Sequence, residues 1–116
     1  IARLPGFADL LGYDLRGDTV TLRWRATSEP DRNYTVFAHG LDEKGERIAQ
    51  HDQPFDYGAS SWSLGEEFEE RIVAPGLGRA RVIHLGVYDP SSFARLQAVS
   101  PGGTAWKDDI IVLGAP

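Results

Sequence analysis

Cysteine is absent from this chain of 116 residues. That excludes disulfides, thiolate metal sites and cysteine nucleophiles. It does not fix the compartment, because a domain of this size can stand outside the cell without disulfides if its core suffices. No run approaches the ~18 apolar residues that span a bilayer, so no direct membrane insertion by this domain is expected. Positive charge is sparse and scattered: 12 Lys and Arg stand against 17 Asp and Glu, for a net charge of −5. Without a basic stripe, nucleic acid is not an expected partner. Internal repeats, low-complexity tracts and any segment with convincing 3.6-residue periodicity are also missing.

What is present is an ordinary globular composition, 41% hydrophobic and 25% charged. The length fits one domain, of which roughly two thirds of the unfolded surface can be buried. Gly and Pro punctuate the chain closely, at Pro5-Gly6, Gly17-Asp18, Pro30-Asp31, Gly45, Pro54, Gly58, Pro75-Gly76, Pro90 and Pro101-Gly102-Gly103. The segments between them are short and often alternate. Val20, Leu22, Trp24 and Ala26 share one face, with Thr21, Arg23 and Arg25 on the other, the pattern of a half-buried strand. YTVFAHGL (34–41) is apolar on both faces, as a central strand would be. Residues 67–73 set Phe68 and Ile72 against Glu67, Glu69 and Arg71, and residues 81–88 set Ile83, Leu85 and Val87 against Val82, His84, Gly86 and Tyr88. Residues 110–113 are a closing apolar run. Turn residues at Gly17-Asp18 and at 42–45 support hairpins there. These features predict an all-β fold: an antiparallel β-sandwich, Ig-like or jelly-roll-like, of about eight strands. Residues 1–116 form one such domain, with 1–5 as the one candidate linker. The start on Ile1 rather than Met predicts a fragment of a longer protein.

Chemistry concentrates in RIAQHDQPFDYGASSWSLGE (47–66). His51 and Asp52 are neighbours, and neighbours on a strand point to opposite faces, so they do not by themselves form an acid–base couple. Neither Ser60 nor Ser61 lies in a G-x-S-x-G nucleophile elbow. No catalytic residue is assigned, and Asp52 is expected to tie down the loop that follows. His39, His51 and His84 lack metal-ligand spacing. Asp42, Asp52, Asp56 and Asp89 lie near turns but in no calcium-loop motif. No metal and no cofactor are assigned. Glu66, Glu67, Glu69 and Glu70 are expected to form a solvated strand face that discourages edge pairing.

The aromatics carry the best functional alternative. Sugar rings stack on exposed aromatic faces while Asp and Gln read the hydroxyls. Gln50, Gln53, Asp56, Tyr57 and Trp62 are therefore the candidate glycan-binding residues. The competing expectation is that such rings plug the sandwich ends. For Trp62 the plug is preferred, with Tyr57 the more exposed ring. The 50–66 segment is expected to be a packed loop, entered from a strand that ends at His51.

LLGYDL, VTLRWRA, YTVFAHGLD..G, AQHDQ.P..G, W..GE, HLGVYDP, RL and DDIIVLG run in this order through nearly the whole chain. The set resembles a β-sandwich module at the C-terminal side of bacterial multi-spanning glycosyltransferases of the dolichyl-phosphate-mannose mannosyltransferase type. The chain departs from that pattern at 91–95 and in the long 99–106 connection. The resemblance implies location and company: an extracytoplasmic module, tethered to the membrane through a membrane-embedded parent chain that is its partner. It implies no activity, because that family's catalytic apparatus belongs to its membrane portion. The expected function is a non-catalytic accessory module of a membrane glycosyltransferase-like protein that binds or positions glycan. The alternatives are a free-standing carbohydrate-binding module and a purely structural or protein-interaction β-sandwich.

Overall fold

In the computed structural model, which describes residues 1–114, the alternation in 19–26 becomes a strand whose Val20, Leu22, Trp24 and Ala26 are all buried. The strands are β1 (Ala2–Leu4), β2 (Ala8–Arg16), β3 (Thr19–Ala26), β4 (Thr35–Leu41), β5 (Arg47–Pro54), β6 (Glu67–Val73), β7 (Val82–Tyr88) and β8 (Ile111–Gly114). They form two four-stranded antiparallel sheets, ordered β1-β2-β3-β6 and β5-β4-β7-β8. Hairpins stay within a sheet, while the β3–β4, β5–β6 and β6–β7 connections cross between sheets. That order is the Ig-like alternative rather than the jelly roll. Gly17 (φ 56°) and Gly45 (φ 81°) turn the β2–β3 and β4–β5 hairpins in the left-handed region, where a Cβ would be strained.

One core lies between the sheets, with Leu10, Leu22, Trp24 and Ile72 from the first and Val36, Ile83, Leu85 and Ile111 from the second. Two long connections close it. Residues 89–110 leave β7 and pair with β1 through Val99 and Arg3, whose backbones exchange two hydrogen bonds of 2.8 Å. The expected linker at 1–5 is thus a strand instead: Ala2 and Leu4 are buried, and the first edge is occupied on both sides.

Residues 55–66 close one end of the sandwich, with a single 3₁₀ turn at Ala59–Ser61. The Trp62 ring is 3% exposed and lies 4.8, 5.3 and 4.6 Å from the rings of Phe7, Phe55 and Phe68. Its Nε1 donates to the Tyr57 carbonyl at 2.8 Å. Tyr57 is half-buried against Phe68, and its hydroxyl donates to Glu66 Oε1 at 2.8 Å and approaches the Ser61 carbonyl at 3.0 Å. That carboxylate holds the phenol's proton, pushing its pKa above the usual value. Tyr57→Phe keeps the ring and removes these bonds, and is expected to lower the urea midpoint slightly. A urea melt measures it; an unchanged midpoint would show the hydroxyl to be idle.

The expected acidic face is corrected at Glu70. Parity places Glu70 opposite Leu22, pointing inward, and its residue exposure is 0%. Its carboxylate accepts from Gln53 Nε2 at 2.5 Å and from the Asp56 N–H at 2.9 and 3.1 Å. It therefore fastens the start of the closing loop to β6. Burial raises its pKa from the ordinary 4.5, against the opposing effect of these hydrogen bonds. Between 4.5 and that raised value the folded chain binds more protons than the unfolded one, so stability falls as pH rises through the window and levels off above it. Glu70→Gln removes this slope. Melts across the acidic range compare the two; a parent whose advantage over the variant grows with pH would contradict the sign.

Candidate functional site

The outer faces of the two sheets differ in chemistry. On the first sheet, Arg25 lies 3.9 Å from Asp9 and 3.8 Å from Glu67, in a charged, water-exposed ladder. Such pairs contribute little. On the second sheet, Phe37, His39, Asp52, Tyr88, Phe93 and Arg95 line a hollow of about 230 Å³. A larger recess, about 590 Å³, lies by the β4–β5 hairpin, lined mainly by charged side chains and by no aromatic. The aromatic hollow is the candidate site.

Register assembles it. Phe37 pairs with Asp52 on β5 and Gly86 on β7, His39 pairs with Gln50 and His84, and Thr35 pairs with Tyr88. Directly opposed residues share a face. A Cβ on Gly86 would lie 2.4 and 2.5 Å from two Phe37 ring atoms, so that ring rests on bare backbone. Phe37 is 2% exposed despite pointing away from the core. The guanidinium carbon of Arg95 sits 5.3 Å from the Phe37 ring centroid, and its Nη1 donates to the Asp108 carbonyl at 3.2 Å.

Asp52 Oδ2 accepts from the Tyr88 hydroxyl at 3.0 Å, and Oδ1 lies 3.8 Å from His39 Nε2. Burial lowers the His39 pKa, with the Arg47 cation adding to the effect and Asp52 opposing it. Burial, then the bond to Asp52, raises that of Tyr88. At neutral pH His39 therefore presents a neutral imidazole, beside the side chains of Asp52, Tyr88 and Arg95.

Phe93 is its most exposed ring. It is 74% exposed, its φ is 62°, and its ring lies 5.8 Å from that of Tyr88. A closed turn holds it there. Asp89 Oδ1 accepts from Ser91 N and Oγ at 2.9 and 2.7 Å, the Asp89 carbonyl accepts from Phe93 N at 2.7 Å, and Arg32 pairs with Asp89 at 2.9 Å. The Ser91 bonds keep the Asp89 carboxyl below the usual range. A bulky residue in the left-handed region costs about 1–3 kcal/mol, and an exposed ring recovers little of it by burial. Phe93 is thus a strained, exposed aromatic beside a polar hollow.

The structure does not gather the five residues expected to bind glycan. Gln50 is exposed on the outer face of β5, opposite His39, at the flank of the hollow. Gln53 turns inward to Glu70 and to the Arg71 carbonyl. Asp56 supplies its backbone N–H to Glu70, Tyr57 ties the loop, and Trp62 plugs the sandwich end. The cause is the length of β5, which runs to Pro54 rather than ending at His51. Asp52 therefore stays in the strand, faces outward and binds Tyr88 instead of the loop. His51 lies on the other face, beside Ala38. Ser60 Oγ bonds Asn33 Oδ1 at 3.2 Å. His39 and His84 are cross-strand neighbours, and among the described residues no three His, Cys, Asp or Glu side chains converge as metal ligands would.

Phe37, His39, Tyr88, Phe93 and Arg95 were not singled out together from the sequence. The available signal was Gly86 in the middle of an apolar strand, since a strand glycine often marks close approach by another group. Comparison with protein-family models, with curated proteins and with solved structures finds no match for this chain.

Proposed function

We propose that this domain is a non-catalytic carbohydrate-binding module that holds one sugar ring in the hollow on the outer face of the second sheet. It serves as the extracytoplasmic accessory module of a membrane glycosyltransferase-like parent chain, the company to which its sequence resemblance points. The observation that carries the binding function is Phe93, an exposed ring held at a strained φ beside Tyr88, in a hollow also lined by Asp52 and Arg95. Aromatic faces take the apolar side of a pyranose, and Asp52, His39 and Arg95 meet its hydroxyls. A volume of about 230 Å³ is below the roughly 300–1,000 Å³ of drug-sized pockets, which suits a single ring.

Binding is favoured over catalysis by the lining itself. Glycoside hydrolysis ordinarily needs two carboxyl groups flanking the bond, and Asp52 is the one carboxylate lining this hollow. Its lining also has no serine, threonine or cysteine for His39 to activate.

Phe93→Gly tests the reading. Glycine relieves the strain while little buried surface is lost, so stability is expected to stay within about 1 kcal/mol of the parent. Binding to a glycan panel, followed by amide shifts of the labelled domain, is expected to disappear. A Phe93→Gly variant that binds sugars like the parent, or a parent that binds none of the panel, would defeat the proposal.

A further inference from the structure

Resting on the reading of the hollow as a sugar site, we infer that its sugar carries a carboxylate, as a hexuronic acid does, and that Arg95 is the residue that selects it. Arg95 is already held at two points. Its guanidinium lies over the Phe37 ring and its Nη1 is bonded to the Asp108 carbonyl. The opposite edge, formed by Nε and Nη2, makes no hydrogen bond or ion pair among the described residues. A planar fork with two parallel N–H groups matches a carboxylate bidentately. Because the side chain is pinned before the ligand arrives, little rotamer entropy is lost on binding.

Arg95 differs here from several other arginines. Arg16, Arg25, Arg32 and Arg71 each have a carboxylate 2.7–3.9 Å away. In the hollow, the one nearby carboxylate is occupied elsewhere: Asp52 accepts from Tyr88 and leans toward His39. The positive field of Arg95 is also felt at His39, where it joins Arg47 in disfavouring protonation. A chain of net charge −5 thus keeps, among the described residues, a guanidinium with no ion-pair partner beside two aromatic rings. That pairing suits a ligand with an apolar ring face and an anionic substituent on the same ring.

Carboxylate fits better than phosphate. Phosphate sites gather several charged or backbone donors around a tetrahedral dianion, whereas this hollow offers one fork and a neutral imidazole. Asp52, which faces the same space, would also repel a dianion more strongly than a monoanion.

The experiment titrates the labelled domain, at low ionic strength, with three probes: an oligogalacturonate, the neutral galactose oligomer of the same linkage, and galactose 6-phosphate. The uronate is expected to bind at least about 10-fold more tightly than the neutral oligomer, as one charge-assisted bidentate contact allows. Shifts should centre on Tyr88, Phe93 and Arg95, and added salt should shrink the preference. Arg95→Gln, at an exposed position, should keep the parent's dispersed spectrum and reduce the preference to about twofold or less. Arg95→Lys should fall between, since it keeps the charge without the fork. Equal binding of the uronate and neutral oligomers, preference for the sugar phosphate, or a preference that survives Arg95→Gln would overturn this inference while leaving the sugar site standing. Binding of none of the probes or of the wider glycan panel would overturn both.

Discussion

Trp62→Ala is expected to lower the unfolding free energy by about 3–5 kcal/mol and the thermal midpoint by at least about 10 °C. The ring is 3% exposed and packs among Phe7, Phe55 and Phe68, which come from the β1–β2 turn, the closing loop and β6. Truncation leaves a cavity whose walls belong to three separate segments, so no single side chain can collapse into it. It also strands the Tyr57 carbonyl, which now accepts from Nε1. Sugar binding at the hollow is expected to persist in whatever fraction stays folded, because Trp62 does not line it. Melts and titrations on the same variant read both consequences. A variant that melts like the parent while losing glycan affinity would reverse them and move the sugar site to the loop.

Gly86→Ala is expected to disturb both stability and binding. The backbone of β7 tolerates alanine, since Gly86 is not in the left-handed region. The obstacle is the Phe37 ring, which the new Cβ would meet at 2.4 Å. The ring must swing off the sheet, carrying with it the surface on which Arg95 lies. Overpacking of this kind costs about 1–3 kcal/mol. Loss of the floor beneath Arg95 should abolish sugar binding. Pairing the change with Phe37→Leu separates the two effects. The shorter side chain makes room, so the double variant should recover stability beyond simple additivity without recovering affinity. If Gly86→Ala alone melts and binds like the parent, the Phe37 ring does not rest on that glycine.

The sequence by itself determined the fold class. Alternation in 19–26, the doubly apolar 34–41, the Ile83, Leu85 and Val87 face of 81–88, and the turn residues at Gly17 and Gly45 specify strands and hairpins because these signals are local. A side-chain period of two sorts each residue to one face, and a positive φ restricts a turn to few residue types. It also foresaw the burial of Trp24 and preferred the plug reading for Trp62. It went astray where partners are distant. Glu70 looks like one more acidic residue until the register with Leu22 turns it inward and Gln53 and the Asp56 N–H satisfy it. Ala2–Leu4 is a strand because Val99 and β2 supply its hydrogen bonds, and three residues cannot announce partners so far along the chain. The candidate site was hidden for the same reason. Asp52, Phe37, Gly86 and Arg95 lie on β5, β4, β7 and the 89–110 connection, and only the pairing of those strands lays them side by side. Local propensity tells which way a side chain points from its own strand. Which neighbours it then meets is decided by sheet order and register, and these are set by burial summed over the whole core rather than by any one segment.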